Sequence, residues 1–410
     1  MSTPNIRFKQ NNGDKFPDWK EIKIKNLGEF RRGQTYSRNQ TTLDKNATFI
    51  VRSSNLIDSW FVDFSKNKQF ANIKIQNDDL LQLGDVVICT ANGSTSLVGK
   101  SSIYNGKYAG SISWGAFCSV FRSNKDAPLA KYFFRTHRYR KLINFMKQGG
   151  NGALGNLNVR EISNTSILFP CTEEQQKIAS FFSTLDQKIE LNERKLEALE
   201  KLKKGLLRKI FDHEIRFKSD DGGTYSNWNE SSLGNYFSVK MCKRIFKEET
   251  SDIGEVPFFK IGTFGKTPDA YISKELFEKY RKNFNYPSIN DTLISCSGTV
   301  GRCVLFDGKA SYFQDSNIVW LEPIDKHLIY NKIYLYIVLS NLSWHELSST
   351  TIKRIYSKDL LSKKWPIPCI EEQNKIASLF ILLDKKITLF SQRLQSLKKL
   401  KEGFMQQMFV

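Results

Sequence analysis

The sequence predicts an α+β chain in which two β-rich domains alternate with two long helices, the helices pairing as an antiparallel coiled coil with pseudo-twofold symmetry. Three observations carry that prediction. A helical tail occurs twice: FPCTEEQQKIASFFSTLDQKIELNERKLEALEKLKKG from Phe169 to Gly205 returns as IPCIEEQNKIASLFILLDKKITLFSQRLQSLKKLKEG from Ile367 to Gly403, at a constant offset of 198. A shorter echo opens each half, IRFKQNNGDKFPDW from Ile6 to Trp19 and IRFKSDDGGTYSNW from Ile215 to Trp228, at an offset of 209. Between these markers lie short apolar runs separated by Gly, Asn, Asp and Ser clusters, the pattern of β-rich domains.

A chain of 410 residues and 47.4 kDa exceeds what one hydrophobic core normally serves. It divides into a first domain at 1–170, a helical segment at 171–211, a second domain at 212–368 and a second helical segment at 369–410. Strands are expected at Thr48 to Val51, Val86 to Thr90, Ser101 to Tyr104 and Ala116 to Phe121. A late helix over Pro128 to Lys147 has its counterpart at Leu328 to Glu346, and each is followed by a polar loop, GGNGALGNLN at 149–158 and SSTTIKRI at 348–355.

The repeated tails read as helices. Apolar residues recur with 4-3 spacing at Ile178, Phe182, Leu185, Ile189, Leu196 and Leu199, and at Ile376, Phe380, Leu383, Ile387, Leu394 and Leu397, the seam of a coiled coil. Asn192 interrupts the first seam, where a polar residue either fixes register or marks a fraying or partner-facing position. Pro170 and Pro368 precede the helices, Thr172 with Gln175 reads as a capping box, and Glu173 and Glu174 suit the positive helix end. Some 35–40 residues at 1.5 Å each make a rod of about 55 Å.

Composition narrows the function classes. With 40% apolar, 13% aromatic and 25% charged residues the chain is globular. Its opening is polar, and its longest apolar stretches, such as Tyr334 to Leu339, are too short to cross a bilayer, so a cytoplasmic protein without a membrane partner is expected. Seven cysteines without a C-x-x-C pair read as buried reduced thiols, and four histidines without an H-x-x-x-H pair provide no metal site. The net charge of +20 favours a polyanionic partner.

Catalytic motifs are near misses. Gly150-x-Gly152-x-x-Gly155 follows a helix instead of a strand. Gly93-x5-Gly99-Lys100-Ser101 is one residue too long for a phosphate loop, and its counterpart, Ser297 to Arg302, is shortened as hairpin turns are. No two prolines are adjacent, which excludes the P-P turn of amino-methyltransferases. No cofactor, metal or catalytic residue is therefore expected.

What remains is a vocabulary for phosphate and base-edge contacts. Arg31, Arg32, Arg52 and Lys100 fall on turns of the first half, and Lys243, Arg244, Arg302, Lys353 and Arg354 in the second. The polar loops add Asn151, Asn156, Asn158 and Thr351, where small neighbours let backbone approach a ligand closely.

This arrangement resembles the specificity subunit of type I restriction-modification systems over the whole chain. The resemblance rests on two variable domains alternating with two helical repeats, each begun by P-C-x-E-E-Q-x-K-I-A-S. It rests also on the openings Phe8, Trp19, Leu27, Gly28 and Phe217, Trp228, Leu233, Gly234, and on the Met408-Phe409-Val410 ending. It implies two target recognition domains, each reading one half of a bipartite site in double-stranded DNA. The helices would space the readers and dock two methyltransferase subunits, with restriction subunits joining through that complex and catalysis residing in those partners. Two rivals are a stand-alone DNA-modifying enzyme, which needs a cofactor pocket, and a coiled-coil adaptor that never touches DNA.

The surplus charge is unevenly spread. Residues 1–171 carry 25 basic and 12 acidic side chains, whereas residues 211–369 carry 21 and 19. If both halves bind DNA, the first should supply more of the salt-sensitive affinity.

Overall fold

The computed structural model describes residues 4–56, 60–148, 155–344 and 354–409. Its backbone contacts form two compact units, one of residues 1–195 with 390–410 and one of 196–389. Each unit therefore contains one domain, the beginning of the helix that follows it, and the end of the other repeat's helix.

In the first unit a four-stranded antiparallel sheet has the order Gly28–Arg32, Cys118–Ser123, Val86–Cys89, Ser101–Ile103. Successive side chains of a strand point to opposite faces. Val86 and Ile88 enter one core with Phe121 and Phe133, while Val87 and Cys89 enter another with Phe49 and Trp114. The sheet is buried on both faces, which is why the run VVIC is uninterrupted. A second sheet orders Thr41–Thr42, Phe70–Ala71, Thr48–Val51 and Ile112–Trp114, and its last two strands are parallel. Lys20–Lys23 pairs with Ser166–Phe169, bringing both ends of the domain to the long helix.

The second unit repeats the plan. Phe237–Met241, Ile318–Pro323, Thr292–Ser295 and Cys303–Leu305 form its antiparallel sheet. Ile294 and Leu321 enter one core, Leu293 and Trp320 the other. Val256–Phe259 runs parallel to Tyr312–Phe313, and Asn229–Ser232 pairs with Lys364–Ile367. A helix at Lys274–Asn283, begun where Ser273 accepts the Leu276 N–H, belongs to this unit alone.

Several sequence expectations shift. The expected helix over 128–147 is broken into Ala130–Phe133 and His137–Gln148, because Thr136 Oγ1 accepts the Tyr139 N–H at 3.1 Å and restarts the helix. Its counterpart is Lys332–Asn341, begun later than Leu328 because Asn331 accepts the N–H groups of Ile333 and Tyr334. The strand expected from Ala116 starts at Cys118, leaving Ala116 and Phe117 in a turn. The glycine-rich stretch before Lys100 closes a hairpin: Gly99 has φ +84°, and a Cβ there would lie 2.3 Å from Ile143 Cγ2.

The long helices are Thr172–Phe211 and Ile370–Met408, of 40 and 39 residues. Their starts explain the repeated sequence. Thr172 does not cap a box with Gln175. Instead Gln175 Nε2 donates to the Pro170 carbonyl at 2.9 Å, as Gln373 does to Pro368 at 3.0 Å. Glu174, wholly buried, accepts from Arg7 Nη2 at 2.7 Å and from Trp19 Nε1 at 3.1 Å. Glu372 accepts likewise from Arg216 at 2.7 Å and Trp228 at 2.8 Å. Lys177 and Lys375 each donate to the backbone of the opening segment, at Lys9 and Lys218. The opening echo and the helical tail are thus two sides of one lock, built once per domain.

Within each unit the two helix portions pack together, and in the first they run antiparallel. In the first, Asp186 pairs with Lys401 and Glu193 with Lys398, so rising numbers on one helix meet falling numbers on the other. In the second, Lys203 pairs with Asp384. The seam divides by burial. Ile178, Phe182, Leu185, Ile189, Ile376, Phe380 and Leu383 are buried, whereas Leu196, Leu199, Ile387, Leu394 and Leu397 are half-buried. Most of the deeply buried positions face a domain core as well as a helix: Phe182 stacks near Tyr132 at 5.3 Å and Phe409 at 6.2 Å. Asn192 is buried, but its amide donates within its own helix, to the Lys188 carbonyl at 2.7 Å, and not across the seam.

Candidate nucleic-acid interface

In the first domain, parallel pairing of Thr48–Val51 with Ile112–Trp114 makes both strands end at the same edge. Arg52 follows one and the Gly115–Ala116–Phe117 turn follows the other. Gly33, just after Gly28–Arg32, packs on that turn so closely that a Cβ would lie 2.1 Å from the Gly115 carbonyl oxygen. Gln34 N then donates to the Trp114 carbonyl at 2.7 Å. The turn also holds Thr90 and Ala91, whose N–H groups donate to the Phe117 carbonyl at 2.9 and 3.1 Å, and Ala91–Asn92 pairs with Gly155–Asn156. Four separate stretches of chain are so gathered around one turn.

Ala116 and Phe117 line two cavities. One of about 560 Å³ includes Gln34, Thr35, Tyr36, Arg52 and Ser54. The other, of about 690 Å³, includes Arg31, Arg32, Asn156, Asn158 and Arg160. Phe117 is 70% exposed although it is large and apolar. Arg31 is neutralised by Glu29 and also donates to the Asp78 carbonyl at 2.9 Å. Arg32 and Arg160 are exposed and make no side-chain hydrogen bond or ion pair among the described residues. Arg52 donates through Nη2 to the Asn67 carbonyl at 3.3 Å, while its Nε is buried without a partner among the described residues. Burial raises the Tyr36 phenol above its ordinary value, and the charge of Arg52 offsets part of that rise. Asn158 is a helix cap: it accepts the Arg160 N–H at 3.0 Å and donates to Glu161 at 2.9 Å. Lys100 is half-buried at the foot of its hairpin and lines neither cavity.

The second domain builds the same corner from other residues. The parallel strands Val256–Phe259 and Tyr312–Phe313 end at Lys260 and Gln314, and Gln314 Oε1 accepts the Ile261 N–H at 2.9 Å. Arg244 pairs with Asp315 at 2.9 Å, Arg354 donates to the Ser316 carbonyl at 3.0 Å, and Ser297 donates to Asn317 at 2.7 Å. Lys243 lies 5.4 Å from the Phe284 ring centroid. Arg302 donates to the Phe264 carbonyl at 2.8 Å, bracing a different loop. Asn151, Thr351 and Lys353 lie outside the described residues.

The structure therefore brings Arg31, Arg32, Arg52, Asn156 and Asn158 to one corner, and Arg244 and Arg354 to its counterpart. Sequence reading missed Gln34, Tyr36, Phe117, Arg160, Gln314 and Asp315. A signal for Gln34 was available: the offset of 209 that aligns the openings also sets it opposite the candidate Lys243. Among the described residues no group of three or more His, Cys, Asp or Glu is placed to hold a metal, and no helix is long and apolar enough to cross a membrane. Burial pushes the thiols of Cys242 and Cys303 up to about 12 and that of Cys296 up to about 11, away from nucleophilic use.

A family model described as the type I restriction modification DNA specificity domain matches the chain twice, over residues 17–201 and 225–399. The chain belongs to that family. A putative type I restriction enzyme specificity subunit of Haemophilus influenzae is 51% identical over 157 residues, 38% of this chain and 40% of that protein. The putative MjaX specificity subunit of Methanocaldococcus jannaschii is 27% identical over 412 aligned positions, covering 95% of this chain and 92% of its own. Among solved structures, the type I S subunit from M. genitalium superposes with a TM-score of 0.62 at 16% identity, covering 100% of this chain and 99% of that one, so the specificity-subunit fold is shared. A chain from a study of complex assembly in the type I R-M system gives 0.52 at 18% identity, covering 95% and 97%.

Proposed function

We propose that this chain is the non-catalytic, DNA-reading subunit of a type I restriction-modification complex. Its domains at 1–170 and 212–368 each contact one half of a bipartite site in double-stranded DNA, through the corner that contains Phe117 and the corner that contains Ser316. The helical segments at 171–211 and 369–410 dock two methyltransferase subunits, restriction subunits join through them, and the complex works in the cytoplasm with its DNA. Cofactor chemistry resides in those partners.

The observation that supports this reading best is convergence. Basic and amide residues drawn from distant stretches of sequence meet at the same strand-end corner in both domains, on surface loops carried by a rigid, doubly buried sheet. That is how positioning contacts and base contacts are presented together. Replacing residues 20–165 by the equivalent stretch of another family member, then mapping methylated sites in a host that carries the whole system, should change one half-site and preserve the other. Changes in both halves, or in neither, would overturn the reading. Methyl transfer by the purified chain alone would overturn its non-catalytic part.

A further inference from the structure

We infer that the cavity lined by Gln34, Thr35, Tyr36, Arg52 and Ser54, walled by Phe117, is where the first domain discriminates bases, while Arg32 and Arg160 on the other side of the turn position it on phosphates. The inference rests on the reading that this domain contacts DNA, and divides its surface by chemistry.

The division follows from which groups are already committed. On the phosphate side, Arg32 and Arg160 are exposed cations whose side chains have no partner among the described residues, suited to a charge that carries no sequence information. On the base side, the Gln34 amide, the Thr35 hydroxyl and the Tyr36 phenol make no side-chain hydrogen bond among the described residues, and Arg52 Nε is buried without one. A buried donor without a partner costs free energy unless a ligand supplies one. Gln and Arg offer the bidentate amide and guanidinium forks that match adenine and guanine edges. These groups are also held in place: Arg52 N donates to Asn55 Oδ1 at 2.9 Å, and Gln34 is fixed to Trp114 through its backbone. Phe117 adds an apolar surface of the kind that meets a thymine methyl group.

The test uses the complete system in its host, with methylated sites mapped by sequencing. Gln34→Ala and Phe117→Ala should relax the base requirement at one or two positions of a single half-site, by about five- to a hundredfold in relative modification, and leave the other half-site intact. Arg32→Ala should lower modification at all sites alike without altering the motif. An unchanged motif in both cavity variants overturns the inference. Loss of all modification with unchanged thermal melting does so as well, since the residues would then supply affinity and not discrimination. If either variant melts early, the double change Thr35→Val with Ser54→Ala, which removes hydroxyls and no packing volume from the core, decides by the same criteria. The exchange of residues 20–165 separates the two levels: a half-site that follows the exchange but ignores the point variants refutes the cavity and spares the DNA-reading function.

Discussion

The two corners share a frame and differ in commitment. In the second domain Arg244 is held by Asp315, Lys260 by Asp269, Lys240 by Glu322 and Gln314 by the backbone of Ile261. In the first, the side chains of Arg32, Gln34 and Arg160 make no hydrogen bond or ion pair among the described residues. Duplication kept what the fold needs and released what a ligand would touch. The difference also accounts for the charge: 21 basic residues nearly matched by 19 acidic ones in 211–369 give the second domain internal pairs, while 25 against 12 in 1–171 leave the first with cations to spare.

The frame should respond equally in both halves, and it offers the largest effect. Glu174→Ala and Glu372→Ala each strand a guanidinium and an indole N–H that now meet a buried carboxylate. Removing one partner of a buried pair costs about 3–5 kcal/mol. Chemical denaturation should show losses of that size for both variants. A mild effect in one alone would mean that the lock is not common to the two domains.

A second comparison should break the symmetry. Lys401 and Lys203 are equivalent by the 198 offset, as are their partners Asp186 and Asp384. Yet the Lys401 side chain is 1% exposed, with its ammonium 3.2 Å from the Trp60 ring centroid, whereas that of Lys203 is 29% exposed. Lys401→Ala should therefore cost about 3 kcal/mol and Lys203→Ala under about 1 kcal/mol. Burial pushes the Lys401 ammonium down to about 8 in spite of Asp186. Between there and its ordinary value near 10.5 the unfolded chain holds a proton that the folded one has released, so stability rises with pH across that window. The gap between the natural chain and Lys401→Ala should widen from pH 8 to pH 10; a constant gap would show that the ammonium stays charged in its site.

What was legible in the sequence was what repeats. The helices, their seam and the alternation of domains followed from an offset of 198 and a 4-3 spacing, because both are written locally. The lock was half visible: Arg7, Trp19 and Glu174 all lay within noted repeats, but nothing local says that a glutamate at a helix start will be buried against a tryptophan 155 residues earlier. The corner was the least legible. Arg31 looked as available as Arg32 until Glu29 and Asp78 were seen beside it. Phe117 read as a strand residue because only the three-dimensional approach of Gly33 to Gly115 makes its neighbourhood a turn. Contacts between distant segments carry that information, and propensity does not.

Asn158 tests whether a polar loop residue near the corner belongs to the frame or to the surface. Its side chain begins the helix Val159–Asn164. In the second domain the equivalent short helix, Ser357–Leu361, is begun from the other side, where Asp359 accepts the Tyr356 N–H at 2.9 Å. Asn158→Ala should cost about 1 kcal/mol and leave the modified sequence unchanged. A changed motif would return Asn158 to the base-reading residues.

The smallest effect bears most directly on the difference between the corners. Each phosphate contact lowers the logarithm of affinity by about 0.9 per decade of salt on duplex DNA. Removing one uncommitted cation should therefore flatten the salt dependence by about one contact, roughly a threefold change in relative affinity between 50 and 200 mM salt. Arg32→Ala and Arg160→Ala should each do this in the assembled complex. The paired change Arg244→Ala with Asp315→Asn should not, because it removes a cation whose charge is already balanced and leaves the net charge of the corner unchanged. Equal flattening by all three would mean that the Arg244–Asp315 pair opens on DNA, and that the two corners differ in how they are held when free but not in how they bind.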